Sequence, residues 1–276
     1  MCGIAGCVSL TDMEQYKNVI SMTQVLYHRG PDNEEVMQCG AATLGHRRLA
    51  IIDLSLNANQ PMADKSGRYW IVHNGEIYNY LSLKKELERL GAEFKTCSDT
   101  EVILQSFIVW GISCLQRFNG MFAFAIWDSV EQKLFLARDR LGEKPLYYKR
   151  LPDNGVVFAS ELKALQRHPF VNKKINPRAV SQFLSLNYVL TNECIIDGVE
   201  KLPAGHFLIV ERERENINTA YWNLAEFFLE KRTIKKEIDT AKELNELIDD
   251  AVKLRLVSDV PLGAFLSGGI DSSTIV

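Results

Sequence analysis

Apolar and polar positions along the first 210 residues mostly follow the two-residue period of β-strands. On this pattern the segments 41–53, 69–80 and 205–213 predict strands. Segment 121–139 predicts a hairpin, and two sets of residues alternate along its first strand: Phe122, Phe124 and Ile126 against Ala123, Ala125 and Trp127. A strand that is apolar on both faces requires a layer above it and a layer below it. The pattern therefore predicts stacked layers of sheet and helix.

Two stretches combine helical spacing of apolar residues with the signals of a helix start. Segment 98–111 predicts a helix with a capping box, in which Ser98 is the N-cap and Glu101 follows three residues later. A second helix is predicted to begin with Asn176 as its cap and Pro177 at its first position.

Leucine-rich stripes predict two more helices, and a charge-dense stretch precedes the second of them. The first covers 83–91 and ends at Gly91, and one face carries Leu83, Leu87 and Leu90. The second covers 241–259, and its apolar positions are Leu244, Leu247, Ile248, Ala251 and Leu254. Between them, residues 211–240 are rich in charge and weakly periodic, which predicts a linker.

The C-terminal residues have the order of a new α/β unit. Residues 260–266 predict a strand, and "SGGIDSS" predicts the turn after it and the start of a helix. The remaining residues are too few for a complete second domain. We therefore predict a first domain over 2–212, a linker over 213–239 and an incomplete α/β domain over 240–276.

Composition excludes several classes of protein. The 276 residues are 46% hydrophobic and 24% charged with a net charge of −3, which indicates no nucleic-acid-binding or membrane-seeking surface. The apolar runs are too short to span a bilayer, and the N-terminus lacks the pattern of a secretory signal. The six cysteines form no CxxC pair and the five histidines do not cluster with them, which argues against a disulfide framework or a metal site. We expect a cytoplasmic protein with no nucleic-acid or membrane partner.

The first candidate for chemistry is Cys2. If Met1 is removed, Cys2 carries both a nucleophilic sulfur and a free α-amino group, whose reference pKa is about 8 and which can act as base for the thiol. Gly3 and Gly6 allow tight turns around it. The alternative is that Cys2 is an apolar residue at the start of a buried strand.

A nucleophile of this kind needs partners, and five residues offer them. Asn74 and Gly75 can supply oxyanion donors, although Asn-Gly is also a common hairpin turn. Glu76 and Asp99 can bind the ammonium of an amino-acid substrate, and Arg48 its carboxylate. The alternative for each of these three is a solvated charge.

Five segments of the sequence together resemble one family. "MCGIAG", "HRGPD", "RLAIID", "NGEIYN" and "SDTE" occur in the order found in the glutaminase domain of class II glutamine amidotransferases. The resemblance implies an α+β fold, a four-layer αββα sandwich of two antiparallel sheets typical of N-terminal nucleophile hydrolases. It implies hydrolysis of glutamine to glutamate and ammonia, without a cofactor.

The resemblance also implies roles for the residues in these motifs. Cys2 is then the nucleophile with its own amine as base, and Asn74 and Gly75 form the oxyanion hole. Arg48 holds the glutamine carboxylate, while Glu76 and Asp99 bind its ammonium. The pocket is lined by the backbone of Leu49, Ala50, Ile51 and Ile52.

The loop "LSGGIDSS" is similar to the SGGxDS pyrophosphate loop of ATP pyrophosphatases, and it lacks the spacing and the lysine of a Walker A loop. An ordinary strand–helix turn is the alternative. The resemblance implies that Leu266 offers its backbone to the nucleotide and that Asp271 acts through Mg²⁺. Pyrophosphate would be held by Ser267, Gly268, Gly269, Asp271 and Ser272.

Four more segments, 138–148, 158–165, 201–208 and 258–273, resemble glutamine-hydrolysing asparagine synthetases. In that family ATP adenylates the aspartate β-carboxylate and ammonia then displaces AMP. The expected ligands are glutamine, aspartate and ATP with Mg²⁺. Whether the protein forms a homodimer is left open. The chain alone is not expected to make asparagine.

Two alternatives to this function stay open. The same glutaminase can feed a different acceptor, as in sugar-acid or peptide amidotransferases. The domain can also be an inactive module that senses glutamine or binds a partner.

Overall fold

The computed structural model describes residues 1–9, 11–190, 192–211, 217–229 and 237–276. Within these ranges the strands form two six-stranded antiparallel sheets. The first sheet has the order β10-β8-β9-β1-β3-β2, with β1 Gly3–Val8, β2 Asn33–Cys39, β3 Ala42–Arg48, β8 Tyr147–Arg150, β9 Val156–Ala159 and β10 Glu200–Lys201. The second has the order β12-β11-β7-β6-β5-β4, with β4 Met62–Ala63, β5 Tyr69–Ile77, β6 Gly120–Asp128, β7 Lys133–Arg138, β11 His206–Glu211 and β12 Ile217–Ala220.

Helices cover the outer faces of both sheets and follow them at the C-terminal end. They are α1 Gln15–Gln24, α2 Tyr80–Arg89, α3 Asp99–Trp110, α4 Cys114–Arg117, α5 Leu162–Leu165, α6 Pro177–Leu186, α7 Leu224–Leu229, α8 Glu237–Arg255 and α9 Ile270–Ile275. None of the helices in the described ranges is long and apolar enough to cross a membrane.

The two faces of β6 contribute to two different hydrophobic clusters. Phe122, Phe124 and Ile126 pack with residues of α2 and α3. Ala123, Ala125 and Trp127 pack with residues of the first sheet, in the space between the sheets. A third cluster lies between the first sheet and the helices α1 and α5. The four layers αββα predicted by the resemblance are therefore confirmed.

Helix starts follow the sequence signals, with one correction. The Asn176 side chain accepts hydrogen bonds from the N–H groups at the start of α6. Ser98 caps α3 by accepting from the Thr100 N–H. The capping box predicted there is incomplete, because the Glu101 carboxylate accepts from the N–H groups of Lys95 and Thr96 instead of Ser98.

The apolar stripe of α2 is shorter than predicted. Leu83 and Leu87 are buried, but Leu90 is 57% exposed. Leu90 lies one residue beyond the helix, where the chain turns through Gly91 with φ +93° and leaves the helical face.

The C-terminal region differs from the prediction in two places. Residues 260–266 are not a strand, because no described strand lies beside them to supply a hydrogen-bonding partner. β12 pairs with β11 at the edge of the second sheet, within the segment 213–239 predicted as a linker. The predicted strand over 205–213 is observed as His206–Glu211, and its last two positions lie outside the described residues.

Candidate active site

A cavity of about 200 Å³ opens where the ends of β3 and β5 meet the N-terminus of α3. Its lining comprises Met1, Cys2, Arg48, Leu49, Ile51, Ile52, Ala58, Gln60, His73, Asn74, Gly75, Glu76, Ser98, Asp99, Thr100 and Lys144. Of the residues predicted to bind glutamine, all but Ala50 line this cavity. The Ala50 N–H donates to the carboxylate of Asp32, in the "HRGPD" segment, so Ala50 fixes the loop rather than forming the wall.

The Cys2 thiol lies at the wall of the cavity, one residue before β1. Its Sγ is 3.4 Å from the Leu49 backbone nitrogen, and Arg29 Nε donates to the Cys2 carbonyl at 2.9 Å. Burial raises the pKa of the thiol, against the lowering effect of the Leu49 hydrogen bond. The thiol is therefore protonated at neutral pH and needs a base to become a nucleophile.

The chain's terminal amino group, here that of Met1, lies at the same cavity. Burial lowers its pKa, and the cations of Arg29 and Lys144 lower it further, while Cys2 and Glu76 oppose them. An amine in this position is more often neutral than one in water, so it is suited to accept a proton.

Asn74 is fully buried, yet neither polar atom of its side chain has a partner among the described residues. A buried amide left without hydrogen bonds costs about 1–3 kcal/mol. Gly75 follows it, and a Cβ there would lie 2.1 Å from the Met121 carbonyl oxygen, so the close approach of β5 to β6 requires glycine. The side-chain amide of Asn74 is therefore held ready for a ligand.

His73 is a wall residue that the sequence analysis missed, although it precedes Asn74 in the same motif. Burial lowers its pKa to about 3, so the ring is neutral. The His73 backbone N–H donates to Gln60 Oε1, and Gln60 Nε2 donates to Thr100 Oγ1, which lies 3.1 Å from His73 Nδ1. The other ring nitrogen, Nε2, has no partner in the described chain.

Arg48 is 5% exposed, and its guanidinium contacts only neutral acceptors in the described structure. Nη1 donates to the Ser55 carbonyl at 2.8 Å and to Asn59 Oδ1 at 2.7 Å, and Nη2 donates to the Asp53 carbonyl. These bonds orient the group without neutralising it. The cation is therefore available to a carboxylate in the cavity.

Asp99 and Glu76 form the acidic part of the wall. Asp99 Oδ2 accepts from the Ile77 N–H at 2.9 Å. Burial raises the pKa of Asp99 to about 7, and the charge of Glu76 adds to this effect. Burial likewise raises the pKa of Glu76. Two acidic groups with raised pKa values favour a cation between them.

Lys144 is another wall residue that the sequence analysis did not assign to the pocket. It belongs to the quoted segment "RDRLGEKPLYY", so the signal was present without a role. Its side chain is 3% exposed, and Nζ lies 2.9 Å from Met1 Sδ.

The six residues predicted to bind nucleotide lie together outside the cavity. Ser267 Oγ and Ser272 Oγ are 2.9 Å apart, and Ser272 Oγ donates to the Gly269 carbonyl. Gly268 has φ +79°, a left-handed conformation that favours glycine. Leu266 and Asp271 are exposed beside them.

The segment that precedes this loop contacts the cavity wall. The Asp259 N–H donates to the Ile51 carbonyl at 2.9 Å, and the Asp53 N–H donates to Asp259 Oδ2 at 2.7 Å. The 49–53 loop, which carries much of the wall, is therefore tied to the C-terminal region.

One cluster outside the cavity holds potential metal ligands. Atoms of Cys7, Asp12 and His168 lie within 4.8 Å of one another. The Phe170 N–H donates to His168 Nδ1, so the ring proton is on Nε2 and is donated to Asp12 Oδ2 at 3.1 Å. Burial raises the pKa of the Cys7 thiol. Hydrogen bonds and protons already occupy these atoms, and we assign no site there.

Comparison with known families agrees with the fold. The family model described as glutamine amidotransferase domain matches residues 1–222, and the model described as asparagine synthase matches 243–276. The chain belongs to the glutamine amidotransferase domain family.

Its relatives include two curated proteins of Bacillus subtilis (strain 168). Asparagine synthetase [glutamine-hydrolyzing] 3 is 39% identical over all of this chain, and asparagine synthetase [glutamine-hydrolyzing] 1 is 37% identical over all of it. The chain covers 44% and 43% of their lengths, so it spans less than half of each relative.

Two solved structures share the fold. One is the structure of the allosteric regulatory enzyme of purine biosynthesis, with a TM-score of 0.57, and the other is glutamine phosphoribosylpyrophosphate amidotransferase from B. subtilis, with a TM-score of 0.54. Each is 20% identical, over 80% of this chain and 49% of the other chain.

Proposed function

We propose that this chain hydrolyses glutamine to glutamate and ammonia with Cys2 as nucleophile, once Met1 has been removed. The observation that carries the proposal is the content of one cavity. The partly buried Cys2 thiol, the Asn74 amide with no partner among the described residues, the Arg48 cation and the acidic pair of Glu76 and Asp99 all line it. These groups match the amide, the carboxylate and the ammonium of free glutamine.

In the proposed reaction the Cys2 amine takes the thiol proton, and the sulfur attacks the side-chain amide carbon of glutamine. The Asn74 amide and the Gly75 N–H stabilise the oxyanion that forms. The amine then returns its proton to the leaving nitrogen, so ammonia departs and a thioester remains. Water hydrolyses the thioester, which releases glutamate and restores the thiol.

The proposal extends to the whole protein that carries this chain, on the likeness to asparagine synthetases. The ammonia would amidate aspartate after ATP has activated its carboxylate. The loop of Ser267, Gly268, Gly269 and Ser272 would hold the pyrophosphate group, with Leu266 beside the nucleotide. The exposed Asp271 carboxylate is an oxygen ligand of the kind that Mg²⁺ prefers. When bound, Mg²⁺ supplies positive charge against the phosphates.

The test of the proposed function is ammonia release from glutamine by the purified chain, with its intact mass checked for the loss of Met1. We expect turnover by the processed wild type and none by Cys2→Ala, because the amine then has no thiol to activate. Cys39→Ala, a free cysteine outside the cavity, is the matched control and should keep the rate. Equal rates in wild type and Cys2→Ala would remove Cys2 as the nucleophile.

A further inference from the structure

The buried side chain of Gln60 joins two elements of the cavity wall. The His73 backbone N–H of β5 donates to Gln60 Oε1 at 2.6 Å, and Gln60 Nε2 donates to Thr100 Oγ1 of α3 at 3.1 Å. Thr100 Oγ1 also lies 3.1 Å from His73 Nδ1, and all three residues are buried. Gln60, His73 and Thr100 are here called the Gln60 cluster.

Two members of the Gln60 cluster are sequence neighbours of residues that are proposed to contact glutamine. His73 directly precedes Asn74, and Thr100 directly follows Asp99. The cluster therefore connects the strand that carries the proposed oxyanion donor with the helix that carries the proposed ammonium ligand.

The strand needs this support because β4 is short. In the described structure the pairing of β4 with β5 stops at Ile71, so it does not extend to His73. Side chains bind the backbone there instead: Gln60 accepts the His73 N–H, and His46 Nε2 donates to the His73 carbonyl at 3.1 Å. The backbone directly before Asn74 is thus held by side chains on the edge that faces away from β6.

A second connection between β5 and α3 does not involve Gln60. The Ile77 N–H donates to Asp99 Oδ2 at 2.9 Å, so the Asp99 carboxylate itself is tied to the strand. Loss of the Gln60 side chain leaves this bond in place. We therefore expect its removal to affect the position of Asn74 more than the binding of the substrate ammonium.

We propose that Gln60 is a positioning residue of the glutaminase site, which sets the place of the Asn74 amide relative to the glutamine that Arg48 and Asp99 are proposed to hold. The inference rests on the proposed function. An oxyanion donor acts only at hydrogen-bond distance from the atom that becomes charged. A misplacement of about 1 Å can lower a rate about a hundredfold, so a fixed β5 matters for turnover.

The test is steady-state ammonia release by Gln60→Met in two backgrounds, wild type and Asn74→Ala. Met keeps the length of the side chain and lacks the amide. In the wild-type background we expect kcat to fall about tenfold to a hundredfold and the KM for glutamine to change less than about threefold. In the Asn74→Ala background kcat should fall less than about threefold, because the residue through which Gln60 acts is already absent.

This comparison separates positioning of Asn74 from a general effect on the fold. An equal loss of kcat in the two backgrounds would overturn the inference, because Gln60 would then act on something other than Asn74. An unchanged kcat in Gln60→Met would overturn it as well. Gln38→Met changes an exposed side chain outside the cavity and should keep the wild-type rate.

A second pair of variants tests the inference without removing the acceptor of the buried His73 N–H. Thr100→Val removes the hydroxyl to which Gln60 donates, and Thr100→Ser keeps it. We expect kcat to fall about twofold to tenfold in Thr100→Val, with KM nearly unchanged, and to stay at the wild-type value in Thr100→Ser. Equal kcat values for the two Thr100 variants would contradict the inference even if Gln60→Met did not fold.

The outcomes also separate this inference from the proposed function. A processed wild type that releases no ammonia would defeat the proposed function. An active wild type, with kcat unchanged in Gln60→Met and in Thr100→Val, would defeat the role of Gln60 alone.

Discussion

At the scale of single residues, the unpartnered amide of Asn74 distinguishes this cavity from an ordinary cleft. Both of its polar atoms are buried without a hydrogen bond to any residue that the structure describes, whereas Arg48 and Gln60, in the same wall, are held by several. An amide oriented only by its strand keeps its donors free for charge that forms during a reaction.

The Asn74→Ala variant should therefore lower kcat by about 10² to 10³, because one oxyanion donor is lost. The KM for glutamine should change little, since the proposed contacts of Arg48 and Asp99 are with the other end of the substrate. Steady-state ammonia release measures both constants. Asn172→Ala, in an exposed loop, is the control. A rise in KM with kcat unchanged would make Asn74 a binding group instead of an oxyanion donor.

Asp99 has a consequence for stability that is separate from activity. Burial raises its pKa from the reference 3.8 to about 7 in the folded protein. Between these values the folded state holds a proton that the unfolded state has lost, so the free energy of unfolding falls as pH rises from about 4 to 7. Above pH 7 the full free-energy cost of burying the ionised Asp99 carboxylate remains.

We accordingly expect the change in the free energy of unfolding caused by Asp99→Asn to be more favourable at pH 8 than at pH 4, on the order of 3 kcal/mol. The same variant should weaken glutamine binding. Urea unfolding at the two pH values measures the difference. Asp197→Asn, which changes an exposed carboxylate, is the control. The same change in stability for Asp99→Asn at both pH values would refute the buried-acid explanation.

At the scale of elements, the sequence predicted what depends on local periodicity and missed what depends on neighbours. The two apolar faces of β6 and the cap of α6 follow from short-range pattern, and both are confirmed. Segment 260–266 has the apolar character of a strand, but a strand also needs a partner for its backbone, which sequence pattern alone does not show. The Glu101 carboxylate was drawn to nearer N–H groups than the one assumed for a capping box.

The site was predictable only as far as its residues lie in short sequence motifs. Its motif residues were found because they occur in a recognisable order, and all but Ala50 line the cavity. His73 and Lys144 were missed because their roles depend on long-range contacts. His73 is held by Gln60 at its backbone and by Thr100 at its ring, and the place of Lys144 depends on the hydrogen bond of its backbone N–H to Asp139.

At the scale of the whole molecule, Asp259 connects the wall of the cavity with the C-terminal region. Its carboxylate accepts the Asp53 N–H, and its own N–H donates to the Ile51 carbonyl. Both bonds end on the 49–53 loop that follows Arg48, so the shape of that loop depends on where the C-terminal segment lies.

The Asp259→Ala variant should raise the KM for glutamine about threefold to tenfold with little change in kcat, because one charge-assisted hydrogen bond to the loop is lost. Initial rates of glutamine hydrolysis measure this change. Asp250→Ala, an exposed residue of α8, provides the control. An unaltered KM would show that the 49–53 loop holds its shape without the C-terminal segment.

The Asp259 contact has a thermodynamic corollary. A ligand that displaces residues 258–259 would alter the affinity for glutamine by some factor, and glutamine would then alter the affinity for that ligand by the same factor. Two hydrogen bonds limit the coupling to a few kcal/mol, which still corresponds to a change of one or two orders of magnitude in occupancy. Isothermal titration of each ligand into the protein, with and without the other ligand bound, should give the same affinity ratio for both.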